Sequence, residues 1–451
     1  MSLPQMMKDV WDNHFESLTP MMKNYLETKK QHEDCIIFYR LGDFYEMFFD
    51  DALEASKVME ITLTGKSCGL EERAPMCGVP YHAVDIYINK LVTRGYKVCI
   101  VEQAEDPALA KGLVKREVSR IVTPGTNLNL TAMDEGKNNY LMSIAYIGGK
   151  FGISIADVTT GDYYVTEVYS ERNVLDEINK FMPTEIICNH AFLMCGMDID
   201  DIKNRLSISV FELEEWYFDE NNCSEVLKDH FGIMDLSGLG ISEMSLGVIA
   251  SGSLLKYLYE TQKNSLTHLS KLVPYSTSTF MILDTSTRRN LELCETLREK
   301  QKRGSLLWVL DKTSTSMGGR TLRRWLNDPL IDTAEINRRL ESVKELKDDV
   351  ILRGDVIENL KKVYDIERLA GKMAYGNANA RDMITLKNSL SKLPDLKKVL
   401  ANVNSPMLKD LYENLDELQD IYELVDRSIV EDPPMTVKDG GIIKLGYDEE
   451  I

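Results

Sequence analysis

The stretch from Ile36 to Asp51, IIFYRLGDFYEMFFDD, decides how the first part of the chain folds. Its beginning, Ile36–Tyr39, consists of β-forming residues and is followed by the turn-forming pair Gly42-Asp43, so we predict a strand there. A helix is predicted to begin near Tyr45, because apolar residues then recur at spacings of four, three and four. These residues are Phe48, Ala52, Ala55 and Met59.

The tetrapeptide Asp43-Phe44-Tyr45-Glu46 lies between the predicted strand and helix. If it is extended, Phe44 and Glu46 project from the same side, because side-chain direction in a strand has period two. The pair then sets a flat aromatic ring beside a hydrogen-bonding carboxylate. On this spacing alone, packing in the core is the commoner role of such aromatic residues.

Three motifs give this pair a further meaning: GDFYEMFFDDA at positions 42–52, APMCGVPYHA at Ala74–Ala83 and RIVTPGT at Arg120–Thr126. Together they resemble the amino-terminal part of the MutS family of DNA mismatch-recognition proteins. The resemblance implies that Phe44 stacks on a mispaired base from the minor groove and that Glu46 hydrogen-bonds the same base.

The same resemblance implies further DNA contacts near the wedge, at Lys66, Met76, Gly78 and Arg116. Many relatives have Lys-Arg in the loop after the second strand, whereas this chain has Gly65-Lys66, so one basic contact is in doubt. We expect the partner of this region to be mismatched double-stranded DNA.

The overall charge opposes diffuse binding to nucleic acid. The chain has 451 residues, with 53 basic and 72 acidic side chains and a formal net charge of −19. Binding to DNA therefore requires a locally basic face. We predict one from a cluster opposed only by Glu117, with more basic residues elsewhere in the first domain. The cluster is Lys111, Lys115, Arg116 and Arg120, and the others are Lys66, Arg73, Arg94 and Lys97.

The predicted fold class is multidomain α/β plus all-α. Residues 1–125 form a small mixed α/β domain, with helices over Pro20–Lys30 and Ala83–Thr93, a polar loop over Thr64–Gly69 and a strand over Tyr96–Glu102. Thr19 is expected to cap the first of these helices. A polar linker without periodicity covers residues 126–137.

Residues 138–270 are predicted to form a second α/β domain. Three strands over 140–147, 151–157 and 162–168 are separated by the turn pairs Gly148-Gly149 and Thr160-Gly161, and helices alternate with strands after them. The order resembles a ribonuclease-H-like fold and matches the connector domain of the MutS family. The resemblance implies that this domain helps to recruit a MutL partner.

The connector fold raises a nuclease alternative, since nucleases of this shape hold metal ions with carboxylates. Asp157 and Asp162 are available, but the first strand carries no acidic residue and Asp157 precedes a turn. This alternative predicts Mg²⁺-dependent cleavage that Asp157→Asn abolishes. A second alternative, favoured by the charge of −19, is a helical scaffold without a role on DNA.

From about residue 271 to 451 helical periodicity predominates, with the longest helices predicted over Ala380–Leu400 and Met407–Val430. Further helices are expected over 286–297, 305–312, 319–326, 333–347 and 365–374. MILDTSTRRNLEL at Met281–Leu293 and GSLLWVLDKTSTSMGGRTLRRWL at Gly304–Leu326 resemble the family's core domain. The segment SMGGRT at Ser316–Thr321 is rejected as a phosphate-binding loop, because Arg320 stands at its lysine position.

The resemblance covers about half of a family member, so we interpret the chain as part of a longer polypeptide. It implies that the parent is a homodimer whose ATP and Mg²⁺ site lies in a domain beyond these residues. We therefore expect no cofactor, no metal and no enzymatic activity from the present residues.

Eight scattered cysteines without a CxxC pair indicate a reducing compartment, and we expect a cytoplasmic location with no membrane association. Cys188, His190 and Cys195 lie close in sequence, but no fourth ligand stands at a spacing useful for zinc.

Overall fold

In a computed structural model of the chain, the described residues are 3–104, 115–128, 135–434, 437 and 440–448. They form two compact units. The first comprises Met1–Met133, Asn139–Asp157 and Met182–Ser265, and the second comprises Asp134–Asn138, Val158–Phe181 and Leu266–Ile451. The basic residue Lys111 lies outside the described residues. The two compact units are divided at other positions than the predicted domain boundaries at 125, 137 and 270. These boundaries therefore stay predictions.

The first unit begins with a sheet of six strands, which are β1 (Cys35–Leu41), β2 (Phe44–Phe48), β3 (Thr64–Lys66), β4 (Ala74–Pro80), β5 (Lys97–Gln103) and β6 (Arg116–Val122). Their order in the sheet is β3-β4-β2-β1-β5-β6. Strands β1 and β5 are parallel, while β2, β4 and β6 run antiparallel to their neighbours. The helices of this part are α1 (Gln5–His14), α2 (Pro20–Gln31), α3 (Phe49–Met59) and α4 (Val84–Val92).

Helices cover both faces of this sheet, and each face has its own apolar core. Met22 and Tyr25 of α2 pack with Ile37, Tyr39 and Phe48 on one face. The other core joins α3 and α4 to the alternate strand residues, which are Ile36, Phe38, Tyr45, Met47, Val98 and Ile100. Strong β-formers that are buried on both sides account for the central position of β1.

Several local predictions for this domain are wrong. No helix begins at Tyr45, because the turn at Gly42-Asp43 folds β2 back onto β1 and α3 begins only at Phe49. The expected polar loop over Thr64–Gly69 begins as an edge strand, since Thr64–Lys66 pairs with β4. Thr19 precedes α2, but its side chain makes no capping hydrogen bond.

The remaining strands of the chain are β7 (Leu141–Ile147), β8 (Lys150–Asp157), β9 (Asp162–Val168), β10 (Glu185–Cys188), β11 (Ser209–Glu212) and β12 (Val273–Pro274). In the second sheet, the strands that belong to the first unit have the order β11-β10-β7-β8. Strands β7 and β8 are antiparallel, whereas β10 is parallel to both β7 and β11, as the predicted mixed fold requires. The helices up to residue 262 are α5 (Glu171–Phe181), α6 (His190–Leu193), α7 (Ile199–Arg205), α8 (Glu220–Phe231) and α9 (Ser245–Gln262).

A buried polar joint connects the two sheets within the first unit. The carboxylate of Glu185 accepts hydrogen bonds from the Gly125 amide at 2.8 Å and from the Tyr257 hydroxyl at 2.6 Å. Gln262, at the end of α9, donates to the carbonyl of Ile121 at the end of β6 at 3.2 Å. Because buried polar groups are costly to leave unpaired, these bonds fix where β6 ends.

The second unit is mainly helical and contains α5 and the parallel pair β9–β12. Leucines at helical spacing form its cores, among them Leu369, Leu386 and Leu390. Its remaining helices are α10 (Thr285–Asn290), α11 (Leu306–Leu310), α12 (Ser316–Asn327), α13 (Thr333–Asp348), α14 (Val350–Leu360), α15 (Ile366–Ala374), α16 (Ala380–Leu390), α17 (Leu393–Leu400), α18 (Pro406–Asn414) and α19 (Gln419–Ser428).

The two long predicted helices are each divided. Pro394 has no N–H to continue the helix from α16, so α17 begins separately. The second break lies at Leu418, which has a φ of 50° and donates its amide to the Asp416 carboxylate at 3.0 Å. This local bond competes with the helical pattern. The predicted helix to Leu297 similarly stops at Asn290, before Glu292 at a φ of 47°.

Candidate nucleic-acid interface

Phe44 is an exposed aromatic side chain at the tip of a hairpin. It is the first residue of β2 and pairs with Leu41 across the two-residue turn. Gly42 in that turn has a φ of +59°, a conformation that favours glycine. Phe44 is 47% exposed, whereas the neighbouring Tyr45 and Phe48 are buried. Core packing therefore explains those two neighbours but not Phe44.

Alternation along β2 directs Tyr45 into the opposite core. Its hydroxyl donates to the carboxylate of Glu102 on β5. The guanidinium of Arg40 lies 5.3 Å from the Tyr45 ring centroid and 4.0 Å from that of Tyr81. Burial, together with the bond to Glu102, raises the pKa of Tyr45, so the phenol stays a neutral donor. These contacts stabilise the hairpin on the face of the sheet opposite to Phe44.

Glu46 lies two residues along the same strand and therefore on the same side as Phe44. Its carboxylate forms an ion pair with the amine of Lys66 at 2.5 Å. The Glu46 side chain is 17% exposed and that of Lys66 is 34% exposed. The predicted aromatic–carboxylate pair thus exists, but the carboxylate already has a partner.

The register of the strands brings the six residues predicted from the resemblance onto one face of the sheet. Glu46 is directly opposite Gly78, and Phe48 is opposite Met76, so β4 contributes both to the face of Phe44. Arg116 is opposite Gln103 on β5, at the far side of the sheet. The full set on this face is Phe44, Glu46, Lys66, Met76, Gly78 and Arg116.

Arg116 lies over the ring of Tyr39, with its guanidinium 5.1 Å from the ring centroid, and its Nε donates to the carbonyl of Arg40 at 3.1 Å. The predicted basic cluster around it is divided. A β-bulge between Ile100 and Val101 shifts the register, so Arg120 belongs to the opposite face, where it lies 3.8 Å from Asp85.

Two other members of the predicted basic group are neutralised by acids. Lys115 pairs with Glu117 at 2.5 Å. Lys97 is largely buried and pairs with Asp34 at 2.8 Å. The described members of the cluster therefore do not form the predicted basic face as one group, and the face of Arg116 combines apolar, acidic and basic groups.

A buried polar network beneath β2 was not identified from the sequence. Asp51 accepts from Lys29 at 2.8 Å, from Tyr25 at 2.9 Å and from the Ile37 amide at 3.0 Å. The Tyr25 hydroxyl also accepts from the Phe48 amide at 3.2 Å. The network thereby fixes β2 at Phe48, the end of the strand opposite to Phe44. One signal was available: Lys29 falls on the apolar stripe of α2, where a lysine needs a buried partner.

The carboxylates of the nuclease alternative serve structural bonds. Asp157 is buried and accepts from the Asn139 amide at 3.0 Å. Asp162 accepts from Thr160 at 3.1 Å and from Tyr164 at 2.8 Å. Among the residues that the structure describes, no three His, Cys, Asp or Glu side chains lie together as a metal site.

The zinc alternative meets a similar obstacle. Burial raises the pKa of Cys188 to about 12, whereas zinc requires the thiolate. His190 pairs instead with Glu212 at 2.9 Å.

The rejected phosphate-binding loop is the start of α12, and Arg320 within it is paired with Asp365. Every helix in the described parts of the chain is too short or too polar to cross a membrane.

The fold defines a multidomain α/β and all-α protein whose first sheet presents an aromatic side chain to solvent, and this fold class is as predicted. Three domain models of one family match the chain in order. MutS domain I matches residues 19–131, MutS domain II matches 139–270 and MutS domain III matches 286–450. The chain belongs to the MutS family, which confirms the predicted family.

Three relatives illustrate the similarity, and each is named DNA mismatch repair protein MutS. The chain is 58% identical to the protein from Lachnoclostridium phytofermentans over 96% of this chain and 47% of the relative. Identity is 52% to the protein from Ruminiclostridium cellulolyticum and 49% to that from Alkaliphilus oremlandii, each over 96% of this chain and 50% of the relative. The chain thus spans about half the length of these relatives.

Proposed function

We propose that the chain recognises mispaired bases in double-stranded DNA, with Phe44 as a minor-groove wedge and Glu46 as the acceptor for a base N–H. The observation that carries the proposal is the half-exposed Phe44 at a hairpin tip, on the same face of the sheet as Glu46. The candidate DNA contacts on the same face of the sheet are Lys66, Met76, Gly78 and Arg116. The names of the relatives support the assignment to mismatch repair.

The physics of DNA favours this use of an aromatic wedge. Inserting a ring between base steps costs unstacking energy, and a mispaired step is already weakly stacked. Kinking also costs less where the duplex is deformable. Discrimination then depends on the deformation energy of the duplex more than on its base sequence. Such a mechanism recognises many mismatches in any sequence context.

The rest of the proposal concerns a protein of the full length of these relatives. We expect a homodimer that binds ATP and Mg²⁺ in a domain outside these residues and becomes an ATP-dependent sliding clamp. Recruitment of a MutL protein through residues 138–270 and a cytoplasmic location complete this proposal. The present residues are expected to act by binding and not by catalysis.

The decisive experiment measures binding to a G·T heteroduplex and to the matched homoduplex at one fixed salt concentration. The protein is a chimera in which this chain replaces the matching half of the Lachnoclostridium phytofermentans relative. We expect the chimera to prefer the heteroduplex and Phe44→Ala to remove that preference. Since stacking on an aromatic ring contributes about 1–3 kcal/mol per base, heteroduplex affinity should fall about fivefold or more.

Trp216→Ala is the matched control, because Trp216 is 43% exposed and lies outside the first sheet. This variant should keep the preference. Equal binding of the unaltered chimera to both duplexes would overturn the proposal and favour the scaffold alternative. Mg²⁺-dependent cleavage of DNA that Asp157→Asn abolishes would instead favour the nuclease alternative.

A further inference from the structure

The ion pair between Glu46 and Lys66 is a feature that the wedge mechanism does not require. Lys66 is on the edge strand β3, and β4 lies between it and the β2 strand of Glu46. The two side chains nevertheless meet across β4, with Nζ and Oε2 2.5 Å apart. The amine also lies 5.5 Å from the centroid of the Phe48 ring, which is completely buried.

Gly78 makes room for this contact. It is opposite Glu46 on the intervening strand, and an added Cβ there would lie 3.4 Å from Glu46 Cγ and 3.3 Å from the Tyr45 carbonyl oxygen. A side chain there would therefore press on the Tyr45 carbonyl oxygen and touch the Glu46 side chain. The absence of a side chain at Gly78 leaves the carboxylate free to lie over β4 towards Lys66.

We propose that Lys66 is a positioning residue for Glu46, and that it acts on DNA through that carboxylate instead of by neutralising a phosphate itself. This inference rests on the proposed function and deepens it. An unpaired carboxylate on a DNA-binding face is repelled by the phosphates, and a nearby ammonium group offsets that repulsion. The same pair fixes the carboxylate in one orientation before DNA arrives, which reduces the ordering cost of binding.

The two roles of Lys66 predict different results in a double-mutant cycle. If Lys66 acts through Glu46, Lys66→Met weakens binding only when residue 46 carries a charge. If Lys66 contacts a phosphate, Lys66→Met lowers the affinity for DNA by the same factor whichever residue is at position 46. A phosphate contact also contributes about one unit to the dependence of log affinity on log salt concentration.

We would measure heteroduplex affinity for the chimera, Lys66→Met, Glu46→Gln and the double variant, each at several salt concentrations. We expect Lys66→Met to lower affinity roughly tenfold in the presence of Glu46 and less than about twofold in the Glu46→Gln background. The salt dependence should remain unchanged by Lys66→Met in that same background. Lys66→Arg should restore most of the affinity, because it keeps the positive charge near the carboxylate.

Arg116→Met is the comparison variant, because Arg116 lies on the same face but bonds to Arg40 and Tyr39 instead of Glu46. Its effect should be additive with Glu46→Gln. Equal losses from Lys66→Met in both backgrounds, with a reduced salt slope, would overturn the inference and leave the wedge intact. Absence of heteroduplex preference in the unaltered chimera would instead overturn the proposed function. Urea unfolding of each variant identifies losses of affinity that come from a less stable fold.

Discussion

At the scale of single residues, the pairing of Asp34 with Lys97 predicts a measurable dependence of stability on pH. Burial raises the pKa of Asp34, but the ion pair and hydrogen bond with Lys97 outweigh it, so the net pKa lies below the ordinary 3.8. The unfolded chain therefore binds more protons in this range. The stabilisation is present above pH 3.8 and is lost as the pH falls through the lower, folded-state pKa.

Asp34→Asn should lower the free energy of unfolding by about 1 kcal/mol at pH 7, because it removes a charge-assisted hydrogen bond. At a pH below the lowered folded-state pKa of Asp34, the variant and the unaltered chain should be equally stable, since Asp34 is then protonated in both states. Urea unfolding at the two pH values measures this. Glu16→Gln is the control, because its carboxylate is 91% exposed. An equal effect of Asp34→Asn at both pH values would contradict the prediction.

At the scale of elements, the turn between β1 and β2 sets the position of Phe44. An added Cβ on Gly42 meets nothing within 4 Å, so substitution there tests conformation alone. At a φ of +59°, Gly42→Ala should cost about 1–2 kcal/mol of unfolding free energy. Gly42→Asn should cost less, because asparagine is common in turns with positive φ. Urea unfolding compares the two, and an equal loss in both would indicate that strain at φ is not the cause.

The same hairpin shows which elements sequence reasoning can identify. Strand β1 was predictable because its residues are strong β-formers buried on both faces. Most of strand β2 was predicted as helix, because the spacing of Phe48, Ala52 and Ala55 is helical. The helix itself begins only at Phe49, the residue after Phe48. Strands β3, β4 and β6 were not predicted because their stability depends on pairing with neighbours, which the local sequence does not encode.

The candidate site was predictable only in part, because the sequence indicates which residues share a side of one strand but not which residues meet between strands. The period of two along a strand predicted that Phe44 and Glu46 share a side, and β2 is indeed a strand. Contacts between strands were beyond such reasoning: the partner of Glu46 is Lys66, twenty residues further along. Arg120 was wrongly grouped with Arg116, because a bulge reverses the face and leaves no simple sequence signal.

At the scale of the whole molecule, buried ion pairs hold chain segments that are distant in sequence. In the second unit, Arg320 of α12 is 5% exposed and forms a bidentate pair with Asp365 at 2.6 and 2.7 Å. It also donates to Glu367 at 2.7 Å and to the carbonyl of Glu135 at 3.0 Å. Arg368 of α15 donates a hydrogen bond to the carbonyl of Lys137, two residues further along the same segment, at 2.6 Å. The short segment that precedes β7 is thus anchored by two arginines.

This arrangement predicts that Arg320→Met releases the segment at Glu135 and destabilises the second unit. Removing one partner of a buried ion pair leaves the other charge uncompensated, which costs about 3–5 kcal/mol. Hydrogen exchange should accelerate at residues 135–138 and in α15, whose first turn is capped by Asp365. Arg338→Met is the matched control, because Arg338 pairs with Asp410 at a surface where it is 36% exposed. Since exposed pairs contribute about 0–1 kcal/mol, that variant should leave exchange at residues 135–138 unchanged. Equal acceleration by the two substitutions would show that general packing, and not the bonds of Arg320, holds the segment in place.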